Sequence, residues 1–293
     1  MTPAVDGALR LGGQSFRPGE PAVMAIVNRT PDSFYDAGAT YDPGRALARV
    51  HEVVAAGARI VDIGGVRAGP GEDVDTREEL RRVVEFVSVV RAAYPGIVIS
   101  VDTWRSAVGR AVCAEGADLL NDAWGGVDPA LVEVAAEFGA GLVCTHAGGL
   151  PPRTKPHRIG YADVVADVVA VTTDLAERAV TAGVREDSIL IDPGHDFGKN
   201  TWHSLELTRR LDELVATGWP VLVALSNKDF VGETLDRLVD ERLIGTLAAT
   251  AISAWHGARV FRAHEVRPTR EVLAMVASIR GDRPPATATR GLV

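Results

Sequence analysis

The sequence predicts a single-domain α/β protein built as a TIM (β/α)8 barrel, and three observations lead to this prediction. Short apolar runs rich in β-branched residues alternate eight times with longer helical patterns. The runs are apolar throughout, as is expected of strands that are buried on both faces of a parallel sheet. Most of the helical patterns end near a glycine, the usual residue after a helix C-terminus. Eight strand–helix units in about 250 residues are typical of this barrel.

The eight units follow one another along most of the chain. The predicted strands are VMAIVN, RIVDIGG, IVISVD, ADLLND, AGLVCTH, ILIDPG, PVLVALS and ARVFRAH. The helical patterns that follow them are GRALARVHEVVAAG, TREELRRVVEFVSVVRAAY, WRSAVGRAVCAEG, PALVEVAAEFG, ADVVADVVAVTTDLAERAVTAG, HSLELTRRLDELVATG, RLVDERLIGTLAATAISAWHG and TREVLAMVASIR. Helical spacing identifies them, as in the second, where Leu80, Val83, Val87 and Val90 form one apolar stripe. A doubly wound open sheet is the alternative, but no glycine-rich phosphate turn follows the first strand.

The two ends of the chain differ from this pattern. We expect residues 21–280 to form the barrel. Residues 1–20 are rich in turn formers and are predicted to form a short ribbon that plugs the barrel floor. Residues 281–293 read GDRPPATATRGLV, and this Pro- and Thr-rich composition predicts a disordered tail.

Composition excludes several classes of function. The net charge is −8 and no basic stripe is present, which disfavours nucleic-acid binding. No run reaches the ~18 apolar residues of a membrane helix. Cys113 and Cys144 lie in apolar surroundings without CxxC spacing, which favours buried thiols in a reducing compartment. A cytoplasmic protein that acts on a small molecule is therefore expected.

Polar side chains occur at the C-terminal end of every predicted strand, where the chemistry of such barrels takes place. One such residue means little, because a buried Asp often only caps the next helix. Eight polar strand ends that converge on one barrel mouth carry a desolvation cost unless they bind something. In chain order they are Asn28, Asp62, Asp102, Asn121, Thr145 with His146, Asp192, Ser226 to Lys228, and Arg262 with His264.

These residues divide by charge into two groups. Asp102, Asn121 and Asp192 offer alternating donors and acceptors to a flat, nitrogen-rich heterocycle. The residues after the seventh and eighth strands lie where barrels commonly hold a phosphate. They are Lys228, Arg262 and His264.

The residues predicted to hold a phosphate also indicate a metal ion and a type of reaction. Asn28 is a candidate Mg²⁺ ligand, with the ion also bridging phosphate oxygens. Cations and a metal at this position stabilise the charge of a departing pyrophosphate. Asp102, Lys228 and Arg262 are the candidate catalytic residues.

Several motifs resemble those of the dihydropteroate synthases. In order along the chain they are NRTPDSF, DIGG, SVDTW, LLND, DPGHDFGK, LSNKDFVG, GTLAA and FRAHEV. The resemblance extends from about Val23 to Ile279, nearly the whole barrel. It implies condensation of 6-hydroxymethyl-7,8-dihydropterin pyrophosphate with para-aminobenzoate, in which pyrophosphate leaves first and the amine then attacks.

The resemblance also implies roles for individual residues. Pterin-pocket roles fall on Asp102, Asn121, Asp192 and Lys228, and pyrophosphate and Mg²⁺ roles fall on Arg262, His264 and Asn28. Asp32 and Ser33 would belong to a mobile lid. Members of this family are commonly homodimers that pack through their last helices, and the apolar helix predicted from Arg237 to Gly257 fits either a dimer contact or packing onto the barrel.

This sequence departs from the family pattern in the loops that hold aminobenzoate. The family's second loop usually reads GGESTRPG, whereas this chain has GGVRAGPG, with Val66, Arg67, Ala68 and Gly69 at the altered positions. The seventh loop usually reads SRKSF, whereas this chain has SNKDF. Here Asn227 replaces an Arg and Asp229 replaces a Ser. Each lost charged hydrogen bond weakens the binding of anionic aminobenzoate by roughly 1.5–3 kcal/mol.

The pterin side is altered as well. Asp196 is expected to point a carboxylate towards the pocket. The other unusual residues are Arg29, Ala123, Trp124, Ala147 and His195.

Four interpretations follow. The favoured one is a synthase-like paralogue that binds a pterin-type ligand but has little or no synthase activity, with weak binding of aminobenzoate-type ligands. The second is an active synthase in which Arg67 folds back over the site. The third is another pterin- or folate-binding barrel, such as a corrinoid-linked methyltransferase, although that class would lack the Lys and the Arg-x-His. The fourth is a non-enzymatic binding or regulatory protein derived from an enzyme fold.

Overall fold

A computed structural model of the 293-residue chain describes residues 7–30, 41–69, 71, 73–149, 151–154 and 160–290. The predicted lid residues Asp32 and Ser33 lie outside these ranges. The elements are β1 (Leu9–Leu11), β2 (Gln14–Phe16), β3 (Ala22–Asn28), α1 (Pro43–Ala55), β4 (Ile60–Gly64), α2 (Thr76–Ala93), β5 (Val98–Asp102), α3 (Ser106–Ala114), β6 (Leu119–Asp122), α4 (Ala130–Phe138), β7 (Gly141–Thr145), α5 (Val164–Thr181), β8 (Ile189–Asp192), α6 (Thr201–Arg209), α7 (Leu211–Val215), β9 (Leu222–Ala224), α8 (Asp229–Leu235), α9 (Leu243–His256), β10 (Val260–Ala263) and α10 (Val266–Arg280).

Strands β3 to β10 form one parallel sheet that curves into a barrel. The strand order is β8-β7-β6-β5-β4-β3-β10-β9, so each strand pairs with its neighbour in the chain and β10 returns to β3. The gap between β8 and β9 is closed by a bridge between Ile191 and Val221, where the Ile191 amide donates to the Pro220 carbonyl at 3.0 Å. The predicted TIM barrel is confirmed.

An antiparallel hairpin lies across the floor of the barrel. Strands β1 and β2 pair from Leu9 opposite Phe16 to Leu11 opposite Gln14. Leu9, Leu11 and Phe16 are fully buried and pack with the inward-facing residues at the starts of the barrel strands. Gly141, the first residue of β7, admits the Leu11 side chain because it has none of its own. At the other end of the chain, residues 281–290 form neither helix nor strand and are exposed.

Two helical patterns were predicted as single helices and are interrupted in the structure. The pattern after β8 divides at Arg210 into α6 and α7. The helix predicted from Arg237 begins only at Leu243. Arg242 explains this later start, because its guanidinium donates to the carbonyls of Arg237 and Asn227 and to the Asp229 carboxylate, which holds the preceding turn in place.

The strands alternate between two cores. Their outward residues pack against the helices in one large apolar cluster, and their inward residues fill the barrel with a smaller one. Both cysteines are buried, as predicted. Among the helices of the described residues, none has the length and apolar character needed to cross a membrane.

Candidate functional site

The parallel register brings the polar strand ends to one level at the barrel mouth. Asn28 of β3 lies beside Gly64 of β4, Gly64 lies beside Asp102 of β5, and Asp102 lies beside Asn121 of β6. Gly64 has no side chain, so Asn28 and Asp102 approach each other from either side of it. Three of the residues predicted from separate motifs therefore share one surface.

Asp62 and Arg262 form the centre of this surface. The Arg262 Nε donates to Asp62 at 2.6 Å and its Nη2 donates to Asp102 at 3.1 Å. Asp62 is fully buried and also accepts hydrogen bonds from Ser100 at 2.6 Å and from Asn121 at 3.3 Å. Sequence reasoning placed Asp62 at a strand end but gave it no role. The sequence feature that could have indicated a role for Asp62 is its position as a carboxylate inside an otherwise apolar strand.

Asp102 has an unusual protonation equilibrium. Burial raises its pKa to about 7, against the opposing effect of Arg262, and the nearby carboxylates of Asp62, Glu79 and Asp122 raise it further. Near neutral pH the group is therefore divided between the acid, which donates a hydrogen bond, and the carboxylate, which accepts one. Either form suits the edge of a nitrogen heterocycle.

Asp192 and Lys228 lie on the opposite side of the mouth. Asp192 accepts a hydrogen bond from the Gly194 amide at 2.7 Å, and burial raises its pKa while Lys228 opposes that effect. Lys228 donates to the His195 carbonyl, and its Nζ lies 4.8 Å from the centroid of the Phe197 ring. Burial lowers the pKa of Lys228, and Asp196 and Asp192 oppose that shift.

Aromatic side chains line the wall of the mouth next to Lys228. The ring of Trp124 packs edge-on against Phe197 at 5.0 Å and against Trp104 at 6.4 Å between centroids. Ala123 and Ala147 complete this cluster, and Ala68 of the second loop packs against it. The two alanines stand where the family pattern has larger side chains, and the indole of Trp124 packs beside them. Ala123, Trp124 and Ala147 were expected to be unusual, but neither the aromatic cluster nor the part of Phe197 in it was predicted.

His264 lies at the end of β10 and is buried. Its Nδ1 is 2.9 Å from the Ser226 hydroxyl, and its amide donates to the same oxygen at 3.2 Å. Its carbonyl accepts a hydrogen bond from Arg49. The last two strand ends are therefore joined through Ser226, which fixes the orientation of the imidazole.

Asn227 does not face the mouth. Its side chain is 2% exposed, donates to Glu265 at 3.0 Å and lies 3.4 Å from the Thr246 hydroxyl. Its φ is +56°, in the left-handed region that Asn tolerates better than most residues. The position that carries an Arg in the family pattern thus carries an internal structural amide in this chain.

Replacing Asn227 with alanine is expected to lower the free energy of unfolding by about 1–3 kcal/mol. The change removes the hydrogen bonds of the Asn227 side chain to Glu265 and Thr246, and it places alanine, which tolerates positive φ less well than Asn, at this position. Urea denaturation measures the loss. Asn227→Gly is the matched control, because it removes the same hydrogen bonds without backbone strain and should lose less. Equal stability of the alanine variant and the unmodified protein would contradict the assignment.

Of the two added carboxylates near the seventh loop, Asp229 is held at the surface, whereas the buried Asp196 lies close to Lys228 and raises the pKa of that lysine. The Asp229 side chain is 81% exposed and pairs with Arg242 at 2.9 Å. Asp196, which was predicted to point towards the pocket, accepts hydrogen bonds from Ser204 at 3.1 Å and from the Phe230 amide at 3.3 Å. The Asp229 charge is therefore compensated at the surface by Arg242.

The altered second loop is packed down onto the mouth. Val66 is buried and Ala68 touches the aromatic cluster. The Arg67 guanidinium lies beside Gly69, within 3.4 Å of where a Cβ would stand. From the fifth loop, Arg153 donates its Nε to the Gly69 carbonyl at 3.1 Å. Two guanidinium groups therefore lie next to the position at which the family loop carries its own arginine.

A buried ion pair supports the second loop from below. The Glu79 carboxylate is fully buried and receives a hydrogen bond from Arg105, whose Nη2 also donates to the Val74 carbonyl at 2.7 Å. Burial raises the pKa of Glu79, and Arg105 acts in the opposite direction.

The residues at the mouth fit a magnesium ion only if a bound ligand supplies further oxygen atoms. Within the described part of the chain no group of three His, Cys, Asp or Glu side chains is placed to hold a metal. Asn28 contributes a neutral amide oxygen, and Asp102, on the other side of Gly64, is bonded to Arg262. Mg²⁺ commonly binds few protein ligands together with phosphate oxygens, which matches this arrangement.

A barrel whose mouth combines buried carboxylates, an amide and two cations beside an aromatic wall is the type of site that holds a flat, charged heterocycle. The family profile described as "Pterin binding enzyme" matches residues 24–264. The chain belongs to this pterin-binding family, and within it the chain is like the dihydropteroate synthases, as its motifs predicted.

Curated relatives divide into two kinds. Proteins named "Inactive dihydropteroate synthase 2" from Mycobacterium leprae and Mycobacterium tuberculosis are each 61% identical over 274 residues, covering 92% of this chain and 94% and 86% of theirs. The "Dihydropteroate synthase" of Haemophilus influenzae is 37% identical over 86% of this chain and 92% of its own. Identity is therefore higher to the proteins named inactive.

Solved structures superpose on most of the chain. A Yersinia pestis dihydropteroate synthase with a bound sulfonamide superposes with a TM-score of 0.89 at 36% identity, covering 94% of this chain and all of that one. The structure of Mycobacterium tuberculosis Rv1207 superposes with a TM-score of 0.72 at 49% identity, covering 94% of this chain and 98% of that one.

Proposed function

We propose that this protein binds a pterin-type ligand at the barrel mouth and forms little or no dihydropteroate. One observation carries the proposal. The polar surface formed by Asp62, Asp102, Asn121 and Arg262 is assembled, whereas Asn227, at the position of the aminobenzoate arginine, is turned into the protein interior. The high identity to relatives named inactive supports the same conclusion.

The pterin half of the proposed site uses complementary hydrogen bonding. Asp102 and Asp192 accept from the amino and ring N–H groups of the heterocycle, and Asn121 both donates and accepts. Lys228 supplies a donor to the carbonyl or ring nitrogen and carries its positive charge over the Phe197 ring. Burial strengthens each of these bonds because little water competes for them.

The pyrophosphate half uses positive charge. Arg262 offers the guanidinium N–H groups that are not engaged by the two aspartates, and His264 offers its imidazole. Asn28 would hold a Mg²⁺ ion, which would supply further positive charge to the pyrophosphate. These groups favour departure of pyrophosphate, but product formation also needs an amine held close to the pterin methylene carbon.

The aminobenzoate half is the part that we propose to be deficient. Its carboxylate loses the seventh-loop arginine, and the second loop has lost the Ser-Thr pair of the family pattern. A second candidate function, an active synthase, is favoured by one observation, since the Arg67 guanidinium lies beside Gly69 and adds positive charge where the family arginine is missing.

A homodimer and a cytoplasmic location are further parts of the proposal. Large apolar side chains on α9 and α10 are exposed, namely Ile244 at 81%, Ile252 at 48%, Trp255 at 54%, Met275 at 63% and Ile279 at 61%. Helices with this much exposed apolar surface commonly pack against a partner. The molar mass in solution, from light scattering, tests the dimer.

Isothermal titration of the purified protein with 6-hydroxymethyl-7,8-dihydropterin pyrophosphate and Mg²⁺ is expected to show saturable binding. Adding para-aminobenzoate is expected to yield no dihydropteroate above the uncatalysed rate. Chromatography of the reaction mixture measures the product, and an active synthase assayed in parallel is the control.

Three outcomes separate the interpretations. Binding without product supports the proposal. Binding with product overturns it in favour of the active synthase, and loss of that product in Arg67→Ala would then identify the rescuing residue. The absence of pterin binding would show that the barrel serves a different ligand.

A further inference from the structure

A buried lysine lies at the centre of the loop that follows β8. Lys199 is 2% exposed. Its Nζ donates to the carbonyls of Phe197 at 2.8 Å, His146 at 3.0 Å and Gly194 at 3.1 Å, and it lies 2.7 Å from the Nδ1 of His146. Four acceptors therefore surround one side-chain nitrogen. The family resemblance gave Lys199 no role, and neither the pterin nor the pyrophosphate half of the proposed site uses it.

The loop is wrapped closely around this ammonium group. Gly194 has a φ of +64° and Gly198 a φ of +60°, and a Cβ at either position would collide with the main chain just beyond the end of β7. The Phe197 amide closes the turn by donating to Gly194 at 2.9 Å. The absence of side chains at both glycines lets the carbonyl groups converge on Lys199.

A line of hydrogen bonds joins this lysine to the protein surface. The Nε2 of His146 is 2.7 Å from the carboxylate of Asp167, which lies on α5 and is 48% exposed. Burial, together with Lys199, lowers the pKa of His146 to about 4, so the imidazole is neutral near pH 7. A neutral ring that donates from Nε2 to Asp167 must accept at Nδ1, which suits a protonated Lys199.

The loop held by Lys199 supplies contacts of the candidate site. It carries Phe197, whose ring lies under the Lys228 Nζ and against Trp124. It also carries the His195 carbonyl that accepts from Lys228, and the Gly194 amide that donates to Asp192. Two of the predicted pterin residues are therefore oriented by the loop that Lys199 organises.

We propose that the Lys199 ammonium is a positioning group for the pterin pocket, and that the His146–Asp167 pair keeps it in place. Protonated Lys199 holds the loop 194–198 in the form that orients Asp192, Phe197 and Lys228, and neutral Lys199 releases it. The inference rests on the proposed pterin-binding function, but the behaviour of the loop is measurable without a ligand.

The charges that face Lys199 determine where its proton is lost. Burial lowers its pKa to about 7, and Lys228 lowers it further. Asp192, Asp167 and Asp196 raise it. Three imidazoles also face this ammonium, and burial together with Lys199 lowers the pKa of each, namely His146, His195 and His203. Protonated Lys199 shares three N–H donors among its four acceptors, whereas the neutral amine has only two donors and holds the carbonyl groups less completely. The loop is thus held more tightly at lower pH and loosens as the pH rises through about 7.

Hydrogen–deuterium exchange on the ligand-free protein tests the loop directly. In Lys199→Met we expect faster exchange in the peptide that covers residues 193–200, with exchange in the other barrel strands unchanged. In the unmodified protein, protection of this peptide should fall between pH 6 and pH 8.5 after correction for intrinsic exchange, and in Lys199→Met it should not depend on pH.

Asp167→Asn keeps the test valid if the Met variant does not fold, since Asp167 is half-exposed on a helix. Removing its charge should shift the midpoint of loop protection to lower pH, because Asp167 raises the pKa of Lys199. Asp174→Asn on the same helix, where Asp174 pairs with Arg178 at the surface, should leave the midpoint unchanged.

Titration with the pterin pyrophosphate completes the experiment. Affinity is expected to fall at least fivefold in Lys199→Met, and the pH midpoint of binding is expected to move in Asp167→Asn but not in Asp174→Asn. Unaltered loop exchange in both Lys199→Met and Asp167→Asn overturns the inference. Loop exchange that changes as expected in a protein that binds no pterin would instead overturn the proposed function and leave the role of Lys199 in the loop intact.

Discussion

Replacing Arg262 with alanine is expected to lower the free energy of unfolding by about 3–5 kcal/mol at pH 8. The guanidinium donates to Asp62 at 2.6 Å and to Asp102 at 3.1 Å, inside the barrel. Without it, two carboxylates lose their compensating charge in a site from which water is largely excluded. Urea denaturation followed by circular dichroism measures the change.

The loss of stability in Arg262→Ala should depend on pH. Burial raises the pKa of Asp102 to about 7 in the folded protein, even with Arg262 opposing the shift. An acid whose pKa is higher in the folded than in the unfolded state makes stability fall as pH rises between the two values. Removing Arg262 raises this pKa further. The variant should therefore lose less free energy of unfolding at pH 5.5, where Asp102 holds its proton, than at pH 8.

A surface arginine provides the comparison. Arg178→Ala breaks an exposed pair with Asp174 on α5 and should leave the unfolding midpoint unchanged at both pH values. An Arg262 variant that loses the same free energy at pH 5.5 and pH 8 would show that lost packing, rather than uncompensated charge, is the cause.

Replacing Arg105 with methionine is expected to lower the free energy of unfolding by about 3–5 kcal/mol as well. Glu79 is fully buried under the second loop, and the variant leaves its carboxylate without the cation that donates to it. The hydrogen bond from Arg105 to the Val74 carbonyl is lost at the same time, so the second loop should also become more accessible to protease.

The double variant Arg105→Met with Glu79→Gln separates charge from packing. If the uncompensated carboxylate causes the loss, the neutral amide should restore most of the stability, and the two changes should be strongly non-additive. Additive losses would assign the effect to packing. Arg110→Ala, which breaks an exposed pair with Glu137, is the control and should leave the unfolding midpoint unchanged.

The barrel itself was predictable because its evidence is local. Apolar runs, helical spacing and terminal glycines each occupy a few consecutive residues, and they predicted eight strands in the order that the sheet shows. Helix boundaries were less predictable. The start of α9 depends on hydrogen bonds from Arg242 to residues on either side of α8, and periodicity does not report such bonds.

The sequence predicted which residues form the candidate site, but not which of them contact one another. Residues at strand ends of a parallel barrel must meet at one mouth, so Asp102, Asn121 and Arg262 were expected together. Their actual bonding was not expected, since Arg262 reaches back to Asp62 across 200 positions of sequence. Asp229 was expected to act on the ligand but is held at the surface by Arg242, whereas Asp196, which is bonded to Ser204, lies close to Lys228.

The sequence by itself therefore determined the architecture of this protein, its family and the set of side chains at the mouth, because each depends on patterns and motifs within short segments. Only the tertiary structure decided where those side chains point. Asn227 faces inward because Glu265 and Thr246 bind its amide, and Lys199 lies under the pocket because two glycines let three carbonyls converge on it. Side-chain direction is set by partners that are distant in the chain, and only folding brings them together.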